Sequence, residues 1–257
     1  EDIALMRVLP NMQVFSPCDA IEAENILKAI KDSNIPAYVR ISREKTTILT
    51  PDNQDFAIGK SYLYKEGKFY IVHTNNADIK IYFLTDEIIR IRVSFDKKFK
   101  EESYVLSTVG WDDRLDNVLG EYRKKIDPIK PDVKEDEEQI VFETAKLNLV
   151  LDKKSIGFSL YDIDGDLLYS DLNGNPFILD SNNRVNHYSK MEEDECFYGF
   201  GEKAGILNKN KTFLRERATD AMGYDADKMD TLYKHIPFYI RMRRASKKAV
   251  GLFYHNF

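Results

Sequence analysis

Cysteine, tryptophan and histidine are scarce in this chain: two, one and four among 257 residues. Cys18 and Cys196 stand far apart in sequence, so they read as free thiols of a reducing, cytoplasmic compartment rather than as a disulfide or a zinc site. His235, beside Ile236-Pro237, has no second His or Cys at ligand spacing, and no metal is expected. Long apolar runs are also missing. None approaches the roughly 20 residues that a membrane helix needs, which excludes that partner. Positive charge is not in excess either: the net charge is −5. The aromatics are not interleaved with Lys/Arg clusters, so the footprint of a nucleic-acid binder is absent. What is present, 43% hydrophobic and 32% charged residues, describes a folded globular chain long enough for two domains or one large all-β domain. Both ends read as cut, since the chain starts Glu1-Asp2 without Met and stops just after the strand-like run Ala249–Tyr254.

The first 68 residues have a mixed texture. Ile3–Leu9 reads as a short helix, Pro10-Asn11 as a turn and Met12–Phe15 as a strand. Asp19 is placed to cap a helix over Ala20–Lys31, where Ile21, Ile26, Leu27 and Ile30 make one apolar face and Glu22 and Glu24 occupy the first turn. Ile35–Ile41 follows as a short apolar strand with little alternation, the kind buried on both faces of a parallel sheet. The sum is a small α/β strand–helix–strand piece.

After Gly67 the helices stop. Lys68–His73, Ile79–Leu84, Ile88–Phe95 and Tyr104–Thr108 are strand candidates, and Ile89, Ile91, Val93 and Phe95 alternate with polar residues as in a half-buried antiparallel strand. Lys124–Glu138, with two prolines and many charges, reads as a loop. Gln139–Glu143, Leu147–Asp152, Gly157–Tyr161 and Leu167–Asp171 continue a meander. Asp162-Ile-Asp-Gly-Asp166 has part of the look of a calcium loop, but it lacks the loop-ending glutamate and lies between strands, so it reads as a hairpin turn. Phe238–Arg243 and Ala249–Tyr254 form a closing hairpin across Ala245–Lys248. Strands at roughly eight-to-twelve-residue spacing indicate a mainly β protein, an antiparallel β-sandwich of about 190 residues behind the α/β piece.

Between Cys196 and Ile240 the periodicity fails. Glycines, aromatics and carboxylates crowd into what reads as one long shaped loop. Gly199, Gly201 and Gly205 do not have the spacing of a phosphate-binding fingerprint. Glu202, Asp220 and Asp225 are three carboxylates on this stretch, with Tyr224 beside them; carboxylates and aromatics together suit a sugar.

Two resemblances cover the chain. Glu1–Met12, Pro17–Glu24, Tyr38–Lys45, Asp55–Lys60 and Lys65–Lys68 resemble the end of the pyrimidine-binding domain of transketolase and its following linker. That resemblance implies a thiamine-diphosphate enzyme in which the arginine matching Arg43 contacts a substrate phosphate; as residues alone, Arg43 reads equally well as a surface strand cap. The thiamine-activating glutamate and the diphosphate-binding domain have no counterpart, so no cofactor is expected. Phe197-Tyr-Gly-Phe-Gly-Glu-Lys203, Asn208, Ala218–Asp225, Leu232–Phe238 and Gly251–Asn256, with Phe83–Val93 earlier, resemble the N-terminal domain of glycoside hydrolase family 31, the α-glucosidase family. This second resemblance spans residues 69–257. It implies a mutarotase-like sandwich packed on a catalytic (β/α)8 barrel, with a loop whose aspartate, matching Asp220, binds the sugar while two barrel aspartates do the chemistry. The chain departs from the family at Arg217-Ala218, where Trp-Asn is common, and holds no Asp-Met-Asn nucleophile motif.

The expected domains are therefore 1–68, a transketolase-like piece with its linker, and 69–257, the sandwich. The junction near 67–70 is read as an accidental joining, which would leave the apolar face of helix 20–31 uncovered; the alternative is a genuine fusion whose α/β piece has been repurposed. Three functions are compatible with these residues: an accessory α-glucosidase domain supplying a substrate loop (Glu202, Asp220, Tyr224 and Asp225) to an absent barrel and inactive alone; a stand-alone carbohydrate-binding module; or a transketolase piece with a β-rich extension. An α-glucoside or oligosaccharide is the expected ligand, and no catalytic residue is assigned.

Overall fold

In the computed structural model the described residues are 2–41, 48, 50, 56–58, 62–66, 69–74, 77–99, 103, 105–111 and 124–255. They form two compact units: Glu1–Glu102 with Ser107–Pro131 and Asp136–Glu138, and Ser103–Leu106 with Asp132–Glu135 and Gln139–Phe257.

The first unit opens with helix α1 (Asp2–Arg7), strand β1 (Gln13–Phe15), helix α2 (Ala20–Ile30) and strand β2 (Ala37–Val39). Asp19 caps α2 as expected: its Oδ1 accepts the Glu22 N–H at 2.9 Å, satisfying a donor the helix leaves open. β1 and β2 pair in parallel, Val14 opposite Tyr38. The expected burial of β2 on both faces does not occur, because Ala37 is exposed and Tyr38 and Val39 are only half-buried. A parallel strand is buried when helices cover both its faces; among the described residues β2 is engaged from α1, through the Tyr38 hydroxyl on Asp2 at 2.7 Å. On α2, Ile26 is buried at 3% exposure while Leu27 is exposed at 48%.

Four antiparallel strands follow in the order β3 (Tyr62–Glu66), β4 (Phe69–His73), β5 (Asp78–Phe83) and β6 (Ile89–Ser94). β3 and β4 pair from Tyr62 opposite His73 to Glu66 opposite Phe69, so the expected junction falls inside a hairpin. β5 lies in the middle and is buried on both faces, with Ile79, Ile81 and Phe83 alternating with Tyr82. β6 lacks the expected alternation of buried and exposed positions: Ile89 to Val93 are all half-buried. Its arginines are covered through their cation faces, Arg90 lying 3.6 Å from the Trp111 ring and Arg92 5.3 Å from Phe99. The expected strand at 104–108 is reduced to β7 (Thr108–Val109), which pairs in parallel with β8 (Lys124–Lys125).

The second unit carries the meander β9 (Asp132–Glu135), β10 (Gln139–Glu143), β11 (Leu147–Asp152), β12 (Phe158–Asp162) and β13 (Leu167–Ser170), neighbours in sequence and in the sheet. Register puts Ile140 opposite Leu151 and Phe142 opposite Leu149, and these four residues are buried on one face. β8 and β9 correct the expectation of a loop over 124–138. β9 is exposed along its length, an edge strand held by pairing and by charge: Lys134 meets Glu143 at 2.7 Å and Lys153 meets Glu135 at 2.5 Å. Its sequence has almost no apolar alternation to signal it, which is how natural edge strands look.

The turn between β12 and β13 is the hairpin expected at 162–166. The Lys248 ammonium sits among its carboxylates, contacting Asp162, Asp166 at 2.5 Å and Asp164 at 3.6 Å. These contacts raise the Lys248 pKa above its ordinary value, the Asp162 hydrogen bond contributing most. The centre of the aspartate cluster is filled by a side-chain cation.

An unforeseen hairpin, β14 (Phe177–Leu179) and β15 (Val185–His187), precedes the last sheet. Its His187 reaches Asp171 at 2.8 Å through Nε2 and the Tyr254 hydroxyl at 2.8 Å through Nδ1, and it stacks on Phe177 at 4.3 Å. The last sheet runs β16 (Glu195–Gly201), β17 (His235–Arg243) and β18 (Ala249–Phe253). Its inner face holds a buried ion pair, Arg241 to Glu195 at 2.6 Å, with Arg241 also 5.0 Å from the Tyr169 ring. The chain is thus mainly β, its sheets antiparallel apart from two small parallel pairs, with the expected α/β piece in front.

Candidate functional site

The candidate stretch begins as a strand, not as the loop its glycines suggested. Cys196 to Gly201 belong to β16, and the loop proper runs from 202 to 234. The transition is a bulge. Pairing with β17 shifts register between Gly199 and Gly201, and Phe200 between them has φ of 67°. Only glycine fits on either side. At Gly199, with φ of 117°, a Cβ would lie 2.7 Å from the Phe238 carbonyl oxygen, and at Gly201 one would lie 2.7 Å from the Lys234 carbonyl oxygen. The Gly-Phe-Gly unit therefore bends the strand end and sets the direction in which the loop leaves it.

The loop returns along the free edge of β16. The Lys209 N–H donates to the Phe197 carbonyl at 2.8 Å, and Asn208 Oδ1 accepts the Phe197 N–H at 2.9 Å. Asn210 Nδ2 donates to the Glu195 carbonyl at 2.7 Å. Lys209 is buried, with its ammonium on the Ala204 carbonyl at 2.6 Å. Desolvation first, and then the charge of Lys203, pull its pKa below the ordinary lysine value.

Further on, the outgoing and returning limbs close on each other. The backbone N–H of Arg215 lies 3.0 and 2.9 Å from the two Asp230 oxygens, and its Nε lies 2.9 Å from Asp230 Oδ2. The Lys203 ammonium donates to the Arg215 carbonyl at 2.5 Å and lies 3.2 Å from Glu216 and 4.0 Å from Asp230. Above this waist the Thr219 N–H donates to the Leu232 carbonyl at 2.8 Å, the Tyr233 hydroxyl reaches the Ala221 carbonyl at 3.3 Å, and Ala221 and Leu232 are buried. Burial alone would raise the Asp230 pKa, but its bonds to Arg215 and the charge of Lys203 outweigh that and hold it below the usual carboxylate value.

The candidate residues occupy different parts of this frame. Asp220 lies at the tip between Thr219 and Ala221, exposed, and its carboxylate makes no hydrogen bond or ion pair with a described residue. Tyr224 is 47% exposed beside Gly223, whose φ is 66°. Asp225 is exposed but committed to its own turn: its Oδ1 accepts the Asp227 N–H at 2.9 Å and its carbonyl accepts from Met229 at 3.0 Å. Glu202 is exposed at the loop base, its N–H donating to the Lys234 carbonyl at 2.9 Å. Asp220, Tyr224 and Asp225 thus share the tip, and Glu202 stands apart at the base. Arg43 lies outside the described residues. Among the described residues no group of three His, Cys, Asp or Glu side chains is arranged to hold a metal ion. The roles of Lys203, Lys209, Arg215 and Asp230 were not foreseen from sequence, where they were four more charges among many.

The loop also exposes large apolar side chains among its charged ones. Met222 is 87% and Phe213 82% exposed, with Ile206, Leu207 and Tyr233 exposed beyond them on the same loop. On β17, Ile236, Phe238 and Ile240 point outward and Arg241 points in, so the outer face of the last sheet is uncovered as well. Among the described residues the tip offers one carboxylate without a side-chain partner, Asp220, a second tied into its own turn, Asp225, and a half-exposed phenol ring: it can bind hydroxyl groups and stack on a flat apolar face.

The sequence profile of the glycosyl hydrolase 31 N-terminal galactose mutarotase-like domain matches residues 78–257. The chain belongs to this family. Among curated relatives, α-glucosidase 2 of Bacillus thermoamyloliquefaciens is 28% identical over 209 residues, covering 80% of this chain and 24% of the relative. The chain therefore spans about a quarter of that relative's length. A GH31 dextranase of Flavobacterium johnsoniae, solved with isomaltotriose and with glucose, superposes with a TM-score of 0.59 at 24% identity, covering 76% of this chain and 22% of the dextranase, a likeness of fold. The chain is also similar to a putative transketolase C-terminal section of Methanocaldococcus jannaschii, 30% identical over 92 residues, which are 35% of this chain and 29% of that protein.

Proposed function

We propose that this chain is the accessory N-terminal domain of an α-glucosidase-type glycoside hydrolase, acting in carbohydrate metabolism. Its loop forms one wall of a sugar site whose catalytic (β/α)8 barrel is not in the chain. The observation that carries the reading is Asp220: an exposed carboxylate with no partner among the described residues, held at the tip of an ordered loop. An ionised carboxylate satisfied inside the protein would be read as structural; one presented this way is available to accept two sugar hydroxyls. Tyr224 supplies an apolar ring beside it, while Asp225 and Glu202 act as supports at the tip and base. The exposed apolar residues of the loop and of β17 would be covered by the barrel.

The proposed domains are 1–68, the transketolase-like piece, and 69–257, the sandwich. Two free cysteines fit a reducing, cytoplasmic setting, and no described helix is long and apolar enough to cross a membrane. Calorimetric titration of isomaltose and maltotriose into the chain tests the reading. One wall of a site should bind with a Kd on the order of millimolar or weaker. Micromolar binding would instead make the chain a stand-alone carbohydrate-binding module.

A further inference from the structure

We propose that Lys203 is the positioning residue of the loop: its buried ammonium pins both limbs at one waist and so fixes where Asp220 is presented. This rests on the reading of Asp220 as a sugar contact. The Lys203 side chain is only 2% exposed, against 30% for Glu216 and 15% for Asp230. An ammonium withdrawn from water is tolerated only where acceptors replace its hydration. Here the Arg215 carbonyl and the Glu216 carboxylate come from the outgoing limb and Asp230 comes from the returning limb. Asp230 in turn holds the backbone and side chain of Arg215. Two cations and two carboxylates thus link the limbs, Glu216 through Lys203 and Asp230 through both Lys203 and Arg215.

The waist has a fixed foot and a defined output. Its foot is Gly201, two residues before Lys203, whose backbone is locked against β17 by the bulge. Its output is the Thr219 to Leu232 hydrogen bond with Ala221 buried beneath it, which holds Asp220 from both sides. Lys209 does not share this role. Its ammonium is spent on Ala204 of its own limb. With its side chain only 2% exposed, Lys203 acts on a ligand only through the placement of Asp220.

Hydrogen exchange on the full chain, read by mass spectrometry, tests the assignment. In K203M, amides of residues 215–232 should exchange about tenfold faster or more while β10–β12 keep their protection, because only the local opening free energy falls. K203R, which keeps the cation, should restore protection to within about threefold of wild type. D230N removes the anion on the other limb and should reproduce K203M; if K203M does not fold, D230N decides. Protection of 215–232 unchanged in both K203M and D230N, or loss spread equally over β10–β12, would overturn the assignment. D220N should leave loop exchange at the wild-type rate. If D220N has no effect on sugar affinity while K203M still loosens the loop, the latch stands and the sugar-contact reading falls.

Discussion

At the scale of single residues, the most demanding positions are those where backbone geometry or burial leaves no alternative. Gly199→Ala would press a Cβ to 2.7 Å from the Phe238 carbonyl at φ of 117°, so thermal unfolding should show a loss of about 1–3 kcal/mol. Glu195→Ala would strand the Arg241 guanidinium, which is 2% exposed, and should cost about 3–5 kcal/mol in urea unfolding. Asp230 has a pH signature. Its folded pKa lies below the ordinary carboxylate value, so its contribution is fully present above about pH 4, the unfolded value, and is lost as pH falls through the lower folded value. Amides of 215–232 should therefore lose protection below about pH 4 while remaining protected at pH 6, and a D230N variant should show no such step. None of these positions could be ranked from sequence. Gly199 and Gly201 were visible as glycines, but what a Cβ would strike depends on β17, which arrives more than thirty residues later.

At the scale of elements, legibility followed local patterning. The α2 helix was readable because Asp19 and a helical apolar stripe are local signals, and β10 and β11 were readable because Ile140, Phe142, Leu149 and Leu151 alternate with outward positions. β9 was not, since an edge strand of Asp132-Val-Lys-Glu135 is defined by its neighbour rather than by its own periodicity. β16 was mistaken for loop because its glycines serve a bulge, and β14–β15 passed unnoticed because two three-residue strands carry too little pattern. The candidate site was half legible: the tip residues Asp220, Tyr224 and Asp225 stood out by type, whereas the waist of Lys203, Arg215, Glu216 and Asp230 exists only once two distant limbs meet. β3 supports a prediction at this scale. It lies before the junction of the two resemblances yet pairs along its length with β4. A chain starting at Tyr62 should keep the four-stranded sheet, and one starting at Phe69 should expose the β4 edge and aggregate more readily in light scattering.

At the scale of the whole molecule, the chain is a mainly β member of the family 31 N-terminal domains with an α/β piece ahead of it. The exposed apolar residues on the 202–234 loop and on the outer face of β17 are too numerous to be scattered surface residues and suit a covered face. The proposed role of the loop depends on Asp220 helping to bind the sugar for a barrel in another part of the enzyme. Steady-state hydrolysis of an α-glucoside reads that role out, using α-glucosidase 2 of Bacillus thermoamyloliquefaciens with its matching quarter replaced by the matching part of this chain. With that exchange active, Asp220→Asn should raise KM about tenfold or more, the loss of roughly one charge-assisted hydrogen bond, about 1.5–3 kcal/mol. An active exchange in which Asp220→Asn leaves kcat/KM unchanged would remove Asp220 from the sugar site.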